Sequence, residues 1–382
     1  MSLTFPNMAE SAGRTLGEEE IAALERVIRS GMLSSVWGTE VRALEGEVAE
    51  LYGSRHAIAC SSGTAALHLS VVAAAPDPGD EIITTPITDF GTVAPILAQN
   101  AVPVFADVDP ATGILDPRAV ARLIGPRTRA IMVVHLFGAP APVDDLRALA
   151  DRHGLTLIED CAQAWLTELP GGYAGTAGHV GTLSLQQWKH ITCGDGGLTL
   201  TDDDELARRM RLFADKGWDR AKGRSHESLG LNYRMTELQG AVARAQLAKL
   251  PGVLADRRRT AVQLVEALRG LEKVRPARPD GHAWWLFPLV LPGGGARELA
   301  EKLREDGIPA RAGYLNQTLN HAPVLESPLY GGSRYPLEGY EAAACPEAER
   351  MVAETLLVID WNENYTGEHV AAVAAAVRKY CG

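Results

Sequence analysis

Between residues 56 and 201 the chain alternates short apolar runs with longer stretches whose apolar residues recur at helical spacing. The runs His56–Cys60, Glu81–Thr85, Val102–Ala106, Ala130–His135 and Leu155–Glu159 are mostly rich in Val and Ile and predict strands. Ala65–Ala74, Thr92–Gln99, Pro117–Ile124 and Val143–His153 predict helices between them. Such alternation builds parallel βαβ units, so the fold class is α/β with a mostly parallel sheet. Val180–Leu185 and Gly197–Thr201 add two further strands, and Asp203–Lys216 and Thr236–Leu250 are amphipathic helices.

The pattern changes at both ends of this region. Residues 17–52 predict helix, bend and helix, the first opened by Gly17 and three acids that favour a helix N-terminus. Near Pro251 a new organisation begins. A helix over Arg257–Leu271 leads to a strand at Trp284–Leu291, a Gly293-Gly294-Gly295 turn, and helices at Arg297–Asp306, Pro346–Leu357 and Glu368–Tyr380. This predicts a large α/β domain over residues 1–250 and a small α+β domain over residues 251–382. A long loop from Tyr314 to Tyr340 is expected to cover something.

Composition narrows the function. A net charge of −11 argues against nucleic-acid and anionic-membrane partners, which demand a basic footprint. Five scattered cysteines without a C-x-x-C pair fit reduced thiols, not a disulfide framework or a zinc site, and no metal site is expected. No signal peptide is evident, and no apolar run approaches the ~20 residues of a membrane span. A cytoplasmic protein is the expectation.

Candidate chemistry centres on Lys189. It follows a predicted strand and precedes the turn Gly194-Asp195-Gly196-Gly197, while Asp160 closes the earlier strand that ends in Leu155–Glu159. An amine to hold an aldehyde and a carboxylate to partner a pyridinium nitrogen are what pyridoxal 5'-phosphate (PLP) requires. Ser61-Ser62-Gly63-Thr64 joins a strand to a helix, where Gly63 admits a phosphate and Thr64 donates to it. The same residues also fit an ordinary helix cap. Gln163 is placed to reach the ring's phenolic oxygen, Ser184 to add a hydroxyl to the phosphate cup, and Phe90 to stack on the ring. Each of these has a plain structural alternative: a turn partner, a strand end, a core aromatic. Their order along the chain is what carries the reading.

On these residues the chain resembles the DegT and StrS type of sugar and cyclitol aminotransferases, which are fold type I PLP-dependent enzymes. The resemblance runs from Gly17 to Glu363. It rests on S-G-T-A-A-L at 62–67, P-V-F-A-D-V-D at 103–109, I-E-D-C-A-Q-A at 158–164, Q-Q-W-K-H at 186–190, G-D-G-G at 194–197 and N-Y-R-M-T-E-L at 232–238. It implies a seven-stranded large domain and a homodimer with shared active sites. It implies Lys189 as the cofactor-holding lysine, Asp160 as the pyridinium partner, and Gln163 and Phe90 at the ring. Gly63, Thr64 and Ser184 would hold the phosphate, and Asn232 would reach the neighbouring subunit's phosphate. Two positions depart from the family, Trp188 before the lysine and Trp165 where His is frequent. Both are expected near the pocket, bearing on substrate choice.

The expected activity is transfer of an amino group from L-glutamine or L-glutamate to a keto-cyclitol or keto-sugar in aminoglycoside-like natural-product biosynthesis. The stretch Tyr314–Tyr330 has no Lys or Arg, which favours an acceptor without a diphosphate. A nucleotide-linked keto-sugar is the alternative within this chemistry. A PLP-dependent lyase or dehydratase, and a PLP-binding regulator without turnover, are alternatives of other kinds.

Overall fold

The computed structural model describes residues 3–223 and 225–382. Its centre is a seven-stranded sheet formed by β1 (His56–Cys60), β2 (Glu81–Thr84), β3 (Val102–Phe105), β4 (Thr128–Val134), β5 (Thr156–Asp160) and, beyond a short hairpin of β6 (Glu168–Leu169) and β7 (Gly172–Tyr173), β8 (Val180–Ser184) and β9 (Gly197–Thr201). The spatial order is β1-β9-β8-β5-β4-β2-β3. From β8 to β3 all neighbours are parallel, while β9 runs antiparallel to both β8 and β1. Strands buried on both faces read as continuous apolar runs, which is why the sequence marks them well.

Residues 251–382 supply a second, four-stranded antiparallel sheet from β10 (Arg275–Pro276), β11 (Leu286–Val290), β12 (Ala310–Ala312) and β13 (Leu356–Asp360), in the order β10-β11-β13-β12. The two sheets share a core. Ile131 and Val133 of β4 belong to the same buried apolar cluster as Leu286 of β11 and Val358 of β13.

Three expectations about elements need correction. The helices expected on either side of Pro251 are one helix of 31 residues, Glu237–Ala267. Proline inside a helix costs about 3 kcal/mol, but Pro251 is exposed while Leu250, Val253 and Leu254 beside it are buried, so apolar burial carries the helix through. The helix expected over Pro346–Leu357 stops at Arg350, passes through a wide turn at Met351–Thr355 and becomes β13. Leu356–Ile359 is fully buried between β11 and β12, so sheet pairing overrides helical spacing there. The helix expected from Thr92 is a 3-10 turn at Phe90–Thr92 followed by a single short helix at Ala94–Ala98. The loop from Tyr314 to Tyr340 lies against the large sheet's flank, with Leu325 and Leu337 in the shared core and the Tyr330 hydroxyl donating to the Leu97 carbonyl. No helix among the described residues is long and apolar enough to cross a membrane.

Candidate active site

Ligands in open α/β sheets gather at the carboxyl ends of the strands. Here β5 ends on Asp160 and β8 on Ser184. Ser184 lies opposite Gly197, and Gly197 opposite Cys60, so the turn after β1 is drawn alongside Ser184. A cleft of about 580 Å³ opens at this edge.

One end of the cleft is an anion cradle. The helix Gly63–Ala74 starts here, capped by Ser62, whose Oγ accepts from the Ala65 amide at 3.0 Å. The Gly63 and Thr64 amides in the first turn have no intrahelical carbonyl to bond. No side chain fits at Gly63, since a Cβ there would stand 2.8 Å from both Cβ and Oγ of Ser184. Close approach of Ser184 to bare first-turn amides leaves a polar recess suited to phosphate.

The middle of the cleft holds Asp160, 3% exposed. Its Oδ1 accepts from the Ala162 amide at 3.0 Å and its Oδ2 from the Thr92 hydroxyl at 2.8 Å. Burial pushes its carboxyl above the usual range, opposed by the Ala162 amide, the Thr92 hydroxyl and the charge of Lys189. A buried acid of this kind gains from a cation placed against it.

Lys189 enters from the loop after β8. Burial lowers its ammonium from the ordinary lysine range, with Asp160 and Asp89 pulling the other way. Its Nζ stands 4.3 Å from the centroid of the Trp285 ring. Two contacts fix the backbone that carries it: Arg14 donates to the Lys189 carbonyl at 2.8 Å, and the Trp285 indole N–H donates to the Trp188 carbonyl at 2.6 Å. Beyond the lysine, Gly194 takes a φ of +90°, and the chain turns back into β9.

Gln163 is held by an unusual backbone. Phe137 adopts φ 60°, a conformation that costs a non-glycine residue of order 1 kcal/mol or more. Its amide donates to Gln163 Oε1 at 2.7 Å, which leaves Nε2 to donate into the cleft, where the Tyr314 hydroxyl accepts at 3.2 Å.

Lys189, Asp160, Gln163, Ser184, Gly63 and Thr64 thus line one cleft. Phe90 does not: it is 36% exposed, and Asp89, Gly91 and Thr92 line the cleft in its place. Asn232 is exposed and lies outside the cleft, on a bridge with Asp215. Trp165 and Trp188, both expected near the pocket, stand differently toward it. Trp188 lines the cleft and is 44% exposed, whereas Trp165 is 0% exposed and packs against Tyr52 behind β8. The sequence reading missed Thr92, Tyr314, Trp285 and Arg14. Thr92 was masked by its neighbour Phe90. The other three reach the site from distant segments and carry no local signal.

His135, Glu159 and Cys161 are the one group among the described residues with metal-ligand proximity. His135 Nδ1 accepts from the Ala141 amide, so Nε2 carries the proton and donates to Glu159 at 2.9 Å. Glu159 also takes the Gly175 and Gly178 amides. The cluster is satisfied internally and reads as core structure.

The donor set fits PLP. The cradle suits a phosphate, Asp160 lacks a cationic hydrogen-bond partner, and burial lowers the pKa of the lysine amine in the same cleft. Comparison with known proteins agrees. The profile of the DegT/DnrJ/EryC1/StrS aminotransferase family matches residues 14–378. DesV of S. venezuelae, solved in complex with a ketimine intermediate, is 32% identical with a TM-score of 0.85, covering 95% of this chain and 94% of its own. DesI, solved in the presence of its TDP-sugar product, is 30% identical with a TM-score of 0.84, covering 97% and 91%. The 3-amino-5-hydroxybenzoic acid (AHBA) synthase is 27% identical with a TM-score of 0.87, covering 99% of both chains.

Proposed function

Because this chain belongs to the DegT/DnrJ/EryC1/StrS aminotransferase family, we propose that it moves an amino group from L-glutamine or L-glutamate to a keto-cyclitol or a keto-sugar that carries no nucleotide, in the making of an aminoglycoside-like product. That it is a PLP-dependent aminotransferase of fold type I follows from the family and the shared fold. Bound PLP supplies an electron sink that lets the α-proton of an amine leave. Gly63, Thr64 and Ser184 would hold its phosphate, Asp160 would keep its ring nitrogen protonated, and Gln163 Nε2 would serve its ring hydroxyl. Lys189 would anchor its aldehyde carbon, and its Nζ, when free, would take and return the proton at the donor α-carbon, a task suited to an amine whose pKa burial has lowered. The family resemblance would assign Phe90 to the ring face, although its side chain lies outside the cleft lining here.

The acceptor assignment rests on charge. Among the described residues lining the cleft, Asp89, Asp160 and Asp195 face just two formal cations, Lys189 and Arg311. With Lys189 engaged in the chemistry, one guanidinium remains, and a diphosphate calls for more than one. The AHBA synthase, whose named product has no phosphate, shares this fold over its whole length. DesI and its TDP-sugar favour a second reading, a nucleotide-linked acceptor met by basic groups of a partner subunit. The subunit arrangement is a homodimer in the cytoplasm, with Asn232 reaching the phosphate of the neighbouring site from its exposed position. The acceptor test offers the amino-loaded form a panel of keto-cyclitols, free keto-sugars and nucleotide keto-sugars. Return of the aldehyde-form absorbance with a keto-cyclitol or free keto-sugar is the expected result. Return with nucleotide keto-sugars alone overturns the acceptor assignment.

A further inference from the structure

Residues 4–15 form a strap whose only regular piece is a 3-10 turn at Ser11–Gly13. One side of the strap is tied to the segment that follows β13. His369, in the last helix (Gly367–Cys381), donates from Nε2 to the Thr4 carbonyl at 3.0 Å, and Phe5 packs edge-on against the Tyr365 and His369 rings. The Asn364 and Asn362 side-chain amides donate to the Ala12 and Gly13 carbonyls at 2.9 and 2.8 Å. The other side of the strap meets the lysine loop on both flanks of Trp188. Gln187 donates to the Met8 carbonyl at 3.1 Å, and Arg14 Nη1 donates to the Lys189 carbonyl at 2.8 Å.

Stability does not account for Arg14. It is 5% exposed, and burial lowers its guanidinium from the ordinary range, with Glu363 pulling up and Arg257 pushing down. Glu363 is engaged by Arg257, whose Nε and Nη2 reach one carboxylate oxygen at 2.9 and 2.7 Å. The Arg14 Nε and Nη2 hydrogens meet no acceptor among the described residues. A buried charge so incompletely paired costs stability, and an apolar residue of similar volume would cost less. What an apolar residue cannot do is hold the Lys189 carbonyl.

We propose that the strap links residues 362–369 to Lys189, with Arg14 as the positioning residue at its inner end. This rests on the reading of Lys189 as the cofactor-holding lysine. A displacement of residues 362–369 is passed along the strap to the lysine backbone. Nζ sits at the end of a four-carbon stem, so its reach to an aldehyde carbon depends on where that backbone is held. Misplacement by about 1 Å costs about 100-fold in rate.

The test titrates cofactor-free wild type, Arg14→Met, Arg14→Lys and Asn364→Ala with PLP and, separately, with pyridoxamine 5'-phosphate. The second ligand has the same phosphate and ring but no aldehyde for the lysine to hold. Arg14→Met is expected to raise the Kd for PLP roughly 10- to 100-fold, the worth of one charge-assisted bond, and to leave that for pyridoxamine 5'-phosphate within about twofold. Arg14→Lys recovers part of the loss, and carries the comparison if Arg14→Met does not fold. Asn364→Ala, which touches the strap and not the lysine loop, raises the PLP Kd roughly 2- to 10-fold. Added to Arg14→Met it has no further effect, because both cut one link. Equal losses for the two ligands, or no loss for PLP, overturn the positioning role. Additive effects of Arg14→Met and Asn364→Ala overturn the link. Borohydride treatment of the PLP-loaded wild type separates the two readings: cofactor mass absent from Lys189 sinks the lysine assignment itself, whereas mass fixed there with an unchanged ratio of the two Kd values in the variants sinks the strap alone.

Discussion

The indole N–H of Trp165 donates to the carbonyl of Ser184 at 2.8 Å, joining a fully buried aromatic to the residue that closes the phosphate cradle. Trp165 therefore serves the site through the core. Trp165→Phe keeps most of the packing but leaves the Ser184 carbonyl without that donor. An unpaired buried carbonyl costs about 1–3 kcal/mol. Denaturant unfolding of the cofactor-free variant is expected to show a loss in that range, together with weaker PLP binding.

Trp188, next to the lysine, is a different case. It is 44% exposed and its ring is free of the core, so Trp188→Ser is expected to change stability by less than about 1 kcal/mol. An aromatic at a cleft mouth offers a face to a ring substrate. Such contacts are worth about 0.5–1.5 kcal/mol, so the acceptor KM should rise up to roughly tenfold. The donor half-reaction should hold. Steady-state kinetics with varied acceptor check both.

Asp160 exposes a trade between function and stability. Its folded pKa is raised by burial, so between the unfolded value and the folded one the native state binds the extra proton. Stability is fully present below the unfolded pKa and is lost as pH rises through the folded pKa. Asp160→Asn removes this loss. The cofactor-free variant is expected to melt above the wild type at pH 7, with the gap closing toward pH 4. Its turnover should fall sharply, because the ring nitrogen loses its anionic partner. Melting curves at the two pH values, with and without PLP, decide the sign.

Gly63→Ala places a methyl 2.8 Å from the Ser184 side chain, whose Cβ cannot swing away. The cradle must open, and its hydrogen bonds to phosphate lengthen. With charge-assisted bonds worth about 1.5–3 kcal/mol each, the Kd for PLP should rise at least tenfold. Titration of cofactor-free protein measures it. A Kd within twofold of the wild type would place the phosphate elsewhere.

The strands of the large sheet were legible because they are short, buried and rich in apolar residues, and even the antiparallel pair His56–Cys60 and Gly197–Thr201 matches to the residue. The sequence also indicated Lys189, Asp160, Gln163, Ser184, Gly63 and Thr64, since each sits at an element boundary near the carboxyl edge. What stayed hidden depends on long-range contact. Trp285 under the Lys189 amine and Arg14 on its carbonyl come from opposite ends of the chain. The helix expected over Pro346–Leu357 ran into the start of β13 because the strands that pair with β13, β11 and β12, lie far back along the chain. Trp165 was expected near the pocket because its sequence neighbours line it, and it lies in the turn after β5, buried against Tyr52 and reaching the site through the Ser184 carbonyl.

The most direct measurement is a single turnover of the PLP-loaded protein with L-glutamine in the absence of any ketone. The account predicts one oxo-acid per active site, conversion of the cofactor to a stable amino form, and then arrest. Lys189→Ala, offered the same donor after borohydride treatment, should carry no cofactor mass fixed to the chain. A lyase or dehydratase, to which L-glutamine offers no leaving group on its β-carbon, would release no oxo-acid and would leave the cofactor in its aldehyde form. No conversion with either L-glutamine or L-glutamate would contradict the donor half of the account outright.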